Sequence, residues 1–302
     1  MTFLYFVLIY VKCAGQGEVF VNKNKSIVLM TDFGTHDGSV SELYGVIDSV
    51  NPYLKVQDLC HHIPPFCVRT AAYRLAQVFS HWTPGTIFVC AIDPDVGTDQ
   101  LALLAESTTG HYFVAPNNGV LTFIDEWYGF SKIISLDKEK VLHPMAKSHT
   151  SYGRDLYAYC AAQWASSAIQ TDQIGTLYTH PLFRLPILKP KHDGRDIVGS
   201  IEIADSYGNA WTNMEADFVS RYGVIEGHSY PVQISSDHTV VFKETVYFGK
   251  TYGSVQKNDA ILHINSMHCL AIGTHWGNFC KKYSLSWDTM PATIQITTRS
   301  AL

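Results

Sequence analysis

From about residue 26 to residue 185 short β-branched runs alternate with stretches of helical spacing, and beyond about residue 196 strands recur with little helix between them. That change of rhythm limits the fold more than any single motif. In the first part Ser26–Met30 reads as a strand, 54–59 as another, 68–80 as a helix, 86–92 as a buried strand and 154–168 as a helix. Alternation of this kind implies an α/β domain over 26–185, with a mainly parallel central sheet covered by helices. The segment 186–196, rich in proline, glycine and charge, reads as a linker. Runs at 198–204, 230–234, 239–242, 260–265, 269–273 and 293–298 then predict a C-terminal domain over 197–302 that is a small β-barrel or sandwich.

Composition agrees with two packed cores, since 302 residues at 46% hydrophobic and 16% charged can bury a substantial interior. A net charge of −5 leaves no basic footprint, which excludes DNA and RNA as partners. Residues 1–15 combine the apolar run Phe3–Val11 with the small residues Cys13, Ala14 and Gly15, the pattern of a removable signal peptide. The run is too short for a membrane span, so no stable membrane insertion is expected after processing. The expected location is periplasmic or secreted; if the run is an ordinary N-terminal strand instead, it is cytoplasmic. Seven cysteines would become six on removal of the leader, an even number compatible with an oxidising compartment. None forms a Cys-x-x-Cys pair, and most read as small buried apolar residues, so no metal is expected. The histidines 61, 62, 263, 268 and 275 do not change this, because alternation along strands scatters them.

Polar chemistry gathers at the ends of the strands, which is where open α/β sheets bind ligands. Thr31-Asp32-Phe33-Gly34-Thr35-His36-Asp37-Gly38-Ser39 follows the first strand, although Asp37 and Ser39 also suit the start of a helix. Asp58-Leu59-Cys60-His61-His62-Ile63-Pro64-Pro65-Phe66 follows the second, Asp93-Pro94-Asp95-Val96-Gly97-Thr98 the third, and Ala115-Pro116-Asn117-Asn118-Gly119 a fourth. In the second domain Asp205-Ser206-Tyr207-Gly208-Asn209-Ala210-Trp211-Thr212-Asn213 closes a strand.

Taken in order and spacing, these segments resemble the S-adenosylmethionine (SAM) hydroxide adenosyltransferase family, which also contains fluorinating and chlorinating enzymes; the resemblance spans roughly 26–300. It implies a seven-stranded α/β domain, a β-rich second domain, and a homotrimer that binds SAM between subunits. The implied reaction is attack of water at C5′, releasing adenosine and L-methionine, with no metal or other cofactor. Residue by residue, the resemblance gives Asp32 the two ribose hydroxyls and places Asp37 and Ser39 in the pocket. Phe66 becomes an aromatic wall, Asp205 the holder of the methionine ammonium, and Asn209 the reader of the adenine edge. Trp211 offers a stacking surface beside it, and Ser266 a contact to the methionine carboxylate.

The water-using members carry an Asp-Arg-His constellation. Here the Asp is Asp93, but Gln100 stands at the Arg position and Tyr152, in Tyr152-Gly153-Arg154-Asp155, at the His position. A carboxylate can orient a water and accept its proton, while a cation stabilises the hydroxide-like state, so its loss is expected to slow the reaction by about 2–4 kcal/mol. Tyr152 and Gly153 also match the chlorinating branch. Those enzymes, however, carry Tyr where this chain has Asp93, and a carboxylate repels a halide. Slow SAM hydrolysis is therefore the leading reading, with a weakened SAM- or adenosine-binding protein second and halide transfer third.

Overall fold

The computed structural model describes residues 26–286 and 290–298; the leader reading for residues 1–15 falls outside them. In the first domain seven strands form one sheet in the order β2-β1-β3-β5-β4-β6-β7. They are β1 (Ile27–Thr31), β2 (Val56–Cys60), β3 (Ile87–Ala91), β4 (Ala102–Ser107), β5 (Tyr112–Pro116), β6 (Phe130–Leu136) and β7 (Gly175–Leu177). The half containing β2, β1, β3 and β5 is parallel. Its helices are α1 (Ser39–Val50), α2 (Val68–Val78), α3 (Thr122–Trp127), α4 (Lys138–Val141), α5 (Tyr159–Ala165) and α6 (Thr171–Ile174).

Strand β1 shows why the sequence folds this way. All five of its residues are buried; Ile27 and Leu29 pack with Leu43 and Ile47 of α1, while Val28 and Met30 pack with Ala71, Ala72 and Leu75 of α2 on the other face. A strand covered on both sides must be apolar throughout, which is how it reads.

Strands β4, β6 and β7 run antiparallel to their neighbours, because the short turn after Ser107 returns the chain directly from β4 into β5. The alternation that implied parallel strands therefore holds for only one half of the sheet. The helix expected over 154–168 begins as a π-helical turn, Gly153–Ala158, and continues as α5.

The second domain contains β8 (Lys191–His192), β9 (Asp196–Ala204), β10 (Ala210–Glu215), β11 (Ser229–Ser236), β12 (Thr239–Phe248), β13 (Ala260–Ile264), β14 (Cys269–Thr274) and β15 (Ala292–Thr297). Because β10 pairs with both β14 and β9, seven of these strands close on themselves, so the domain is a barrel rather than a sandwich; β8 extends β9. Alternate residues such as Val232, Ile234, Ile294 and Ile296 fill its interior. Helix α2 joins the two domains. Arg69 reaches Glu202 of β9 at 2.8 Å, and Ile203, Trp211 and Ala271 of the barrel share the apolar cluster of α2.

Candidate functional site

Two recesses, one in each domain, hold five of the eleven sequence-predicted residues. The first lies at the carboxyl ends of β1 and β3. A cavity of about 290 Å³ is lined there by Asp32, Phe33, Phe66, Ala91, Asp93, Thr150, Gly153 and Tyr157, among others. One carboxylate oxygen of Asp32 accepts the backbone N–H of Phe66 at 2.9 Å, pinning the loop after β2. Phe66 sits at φ 66°, a left-handed conformation costly for a bulky residue, and its side chain is 71% exposed. That hydrogen bond helps hold the aromatic ring out over the recess.

Asp93 is the chemically loaded group. The Tyr157 hydroxyl donates to its Oδ2 at 2.6 Å, while Oδ1 is buried without a hydrogen-bond partner. Burial pushes the carboxyl above its usual range; the Tyr157 hydrogen bond opposes the rise, Asp95 adds to it and Lys138 opposes it. Burial and the Asp93 carboxylate also push the Tyr157 phenol upward, so Tyr157 remains a proton donor. Gly153 lets the π-helical turn approach this point, since a Cβ there would stand 2.9 Å from the ring of Phe33 and 3.2 Å from the Ala91 side chain.

The second recess, about 860 Å³, opens on the barrel and is lined by Asp205, Tyr207, Asn209, Tyr252, Thr274, His275, Trp276 and Gly277. Asp205 organises its floor. Its Oδ1 accepts the backbone N–H groups of Tyr207 and Asn209, and its Oδ2 accepts the Asn209 amide and, at 3.3 Å, the Trp211 indole. The Asn209 carbonyl oxygen lies against Gly273, where any side chain would collide with it. Tyr252 shares a 3.0 Å hydrogen bond with His263, whose buried ring is pushed toward the neutral form by desolvation, against the pull of Asp205. Tyr207 and Trp276 stand 80% and 77% exposed at the rim, and Thr274 Oγ1 is buried without a partner.

The profile of the SAM hydroxide adenosyltransferase N-terminal domain matches residues 27–175, and that of the C-terminal domain matches 199–290. This chain belongs to the SAM hydroxide adenosyltransferase family. It is 27% identical over 276 residues to a protein named (R)-S-adenosyl-L-methionine hydrolase from Methanocaldococcus jannaschii, covering 86% of this chain and 92% of that one. With a fluorinase from Actinoplanes sp. it shares 24% identity over 289 residues, covering 87% and 95% of the two chains. The crystal structure of a conserved protein from Thermotoga maritima superposes with a TM-score of 0.80 at 27% identity, over 90% of this chain and all of that one.

Within this chain the sequence-predicted residues fall into three groups. Asp32, Phe66 and Asp93 meet in the first recess, and Asp205 and Asn209 in the second. Asp37, Ser39, Gln100, Tyr152, Trp211 and Ser266 line neither. Asp37 is exposed and accepts the Ser39 N–H at 2.9 Å, a contact that orders the start of α1 and holds its carboxyl below the usual range. Gln100 is half-buried at the end of the loop after β3, where its N–H reaches Thr98 Oγ1 at 3.2 Å. Tyr152 is buried, with its hydroxyl 3.4 Å from His149 Nδ1. Trp211 offers no open stacking face: it is buried in the domain junction, and Arg74 lies 5.8 Å from its ring centre. Ser266 is exposed in the β13–β14 turn, at the opposite end of β14 from Thr274.

Tyr157, Tyr252, Thr274 and Trp276 were not legible as site residues. Each lies within or just after an ordinary-looking strand or helix, and no local pattern shows which way a side chain faces. The six described cysteines are free thiols. Among the described residues no group of three or more His, Cys, Asp or Glu side chains is placed to hold a metal, and no helix is long and apolar enough to cross a membrane.

Proposed function

We propose that this protein hydrolyses SAM to adenosine and L-methionine, slowly, without a metal or other cofactor, and that Asp93 orients the attacking water. The water oxygen forms a bond to C5′ as the C5′–S bond breaks. The bonding pair goes to sulfur, which leaves as the neutral thioether of methionine, and the water proton passes to Asp93. No acid is needed for such a leaving group. The site's task is to align the water in line with the breaking bond and to exclude bulk solvent. The observation that carries this reading is the Asp93 carboxylate, with one oxygen fixed by Tyr157 and the other buried without a partner at the wall of the recess that also contains Asp32. Curated relatives named (R)-S-adenosyl-L-methionine hydrolase support it, and a carboxylate in this position disfavours a halide nucleophile.

In this reading Asp32 takes the ribose hydroxyls, while Asp205 and Asn209 take the ammonium and the adenine. Phe66 forms the aromatic wall, and Asp37, Ser39 and Ser266, which line neither recess within the single chain, are assigned to the pocket by the family resemblance alone. The two recesses are completed between neighbouring subunits of a homotrimer, which accounts for the exposed Phe66, Tyr207 and Trp276 at their rims.

A second reading, a SAM-binding protein with little turnover, draws on the neutral Gln100 and Tyr152. Incubation with SAM followed by chromatography separates the possibilities. Adenosine and methionine formed by the wild type and lost in Asp93→Asn support hydrolysis. No product from the wild type, with turnover gained on placing Arg at 100 and His at 152 together, supports the binder. Product that appears only with chloride, as 5′-chloro-5′-deoxyadenosine, supports halide transfer.

A further inference from the structure

The neutral residues at 100 and 152 leave open where a positive charge beside Asp93 would come from, and the fold brings one from a different element. Lys138 opens α4, and its ammonium donates to the backbone carbonyl of Thr98 at 2.8 Å. Thr98 belongs to the loop from Asp93 to Gln100. Its N–H and hydroxyl both bond the Asp95 carbonyl, and the Val96 N–H bonds the carbonyl of Asp93 itself, so the loop is tied together from Asp93 to the lysine. The same ammonium lies 5.2 Å from the ring centre of Tyr152, the residue in the His position. It therefore sits on the Asp93–Gln100 loop and over Tyr152 at once. Lys138 is half-buried, and among the described residues no carboxylate stands within ion-pair distance of it; Asp137 pairs instead with Lys140 at 3.1 Å.

We infer that Lys138 is an electrostatic positioning residue of this site, supplying from α4 the positive charge that Gln100 and Tyr152 do not. The inference rests on the hydrolase reading for its catalytic consequence, but not for its electrostatic content. A half-buried ammonium without a counterion projects its charge further than an exposed, paired one. It opposes part of the rise that burial and Asp95 impose on the Asp93 carboxyl, alongside the larger effect of the Tyr157 hydrogen bond, and it favours the negative charge that develops on the attacking oxygen. It does so through the loop and the ring of Tyr152, without entering the recess. The other titratable or charged groups on the elements around this region are Tyr157 on the π-helical turn, Asp32 across the recess, His149 beside Tyr152, Asp99 next to Thr98 in the loop, and Glu139 and Lys140 on α4.

The test compares wild type, Lys138→Met and Lys138→Arg by two readouts. One is the pH profile of adenosine release. The other, independent of turnover, is the titration of the Asp93 carboxyl carbon by NMR in protein labelled with ¹³C-aspartate, with Asp93→Asn assigning the signal. Lys138→Met should move the Asp93 titration and the acid limb of the profile to higher pH and reduce turnover roughly tenfold or more, the scale expected for a lost electrostatic stabiliser. Lys138→Arg should restore both. An Asp93 titration unchanged in Lys138→Met would overturn the inference, as would Lys138→Arg behaving like Lys138→Met, which would mark a packing role. If the wild type makes no adenosine, the hydrolase reading fails on its own and the NMR titration still decides the electrostatic role of Lys138.

Discussion

At the scale of single residues, Asp93 carries opposed demands. Burial raises its proton affinity, which makes the ionised form a better proton acceptor and costs folding stability at neutral pH. Because the folded-state pKa lies above the unfolded one, that cost is present when the pH is above the folded pKa and disappears as the pH falls below the unfolded one. Asp93→Asn is therefore expected to reduce turnover by about 10²-fold or more while leaving the thermal midpoint at pH 7 equal or higher, with the difference in midpoint shrinking toward acid pH. Calorimetric melts from pH 3 to pH 7 beside a chromatographic assay check both parts. A variant both inactive and much less stable at pH 7 would show Asp93 to be structural. Asp32 differs, since one of its oxygens already holds the Phe66 N–H. Asp32→Ala should weaken SAM binding by at least about 1.5 kcal/mol, the scale of a charge-assisted hydrogen bond, as read by titration calorimetry. Equal affinity would remove Asp32 from the site.

Among the elements, the π-helical turn at Gly153–Ala158 does most to shape the first recess, because it brings Gly153 against Phe33 and Ala91 and carries the Tyr157 hydroxyl to Asp93. Gly153→Ala should keep the fold, since the nearest obstacle is the far edge of the movable Phe33 ring, but it should narrow the cavity. The expected result is at least about tenfold weaker SAM binding in the same calorimetric assay, with a far-UV spectrum like the wild type; unchanged affinity would show that the turn does not bound the ligand. This element also shows where sequence reading stops. Buried strands such as β1 and β3 declare themselves through continuous apolar runs, and the acids that follow them are legible because sheet ends are where ligands bind. A π-helical turn has no such signature. Apolar spacing predicted a helix there without the altered phase that aims Tyr157 at Asp93, and the antiparallel β4 and β6 were hidden because period-2 alternation is silent about strand direction. Closure of the barrel was likewise invisible, since it depends on β10 pairing with two partners at once. Trp211 was legible as an aromatic, but not as part of the domain junction.

Across the whole molecule, that junction sets the relation of the two recesses. Glu202 is only 3% exposed and bonds both Arg69 and Ser200, so removing the arginine leaves a buried carboxylate without its countercharge. Arg69→Ala should lower stability by about 3–5 kcal/mol in denaturant unfolding, and a loss below about 1 kcal/mol would show that the apolar contacts of Trp211 and Ile203 suffice. With the domains held in this way, each recess presents exposed aromatics at its rim: Phe66 on one, Tyr207 and Trp276 on the other. If a neighbouring subunit completes each site, the protein scatters light as a trimer of three times 33.8 kDa, less any removed leader, and the two halves of a site can come from different mutant chains. Asp93→Asn breaks the first recess and Asp205→Ala the second, so each variant alone should be nearly inactive. In trimers co-expressed from equal amounts of the two, about one site in four combines an intact first recess with an intact second recess from the neighbouring chain. Activity should then recover to roughly a quarter of the wild type. Were the site built within one chain, every site would carry one of the two lesions and co-expression would restore nothing, and recovery no greater than the sum of the separate variants would rule out the shared pocket.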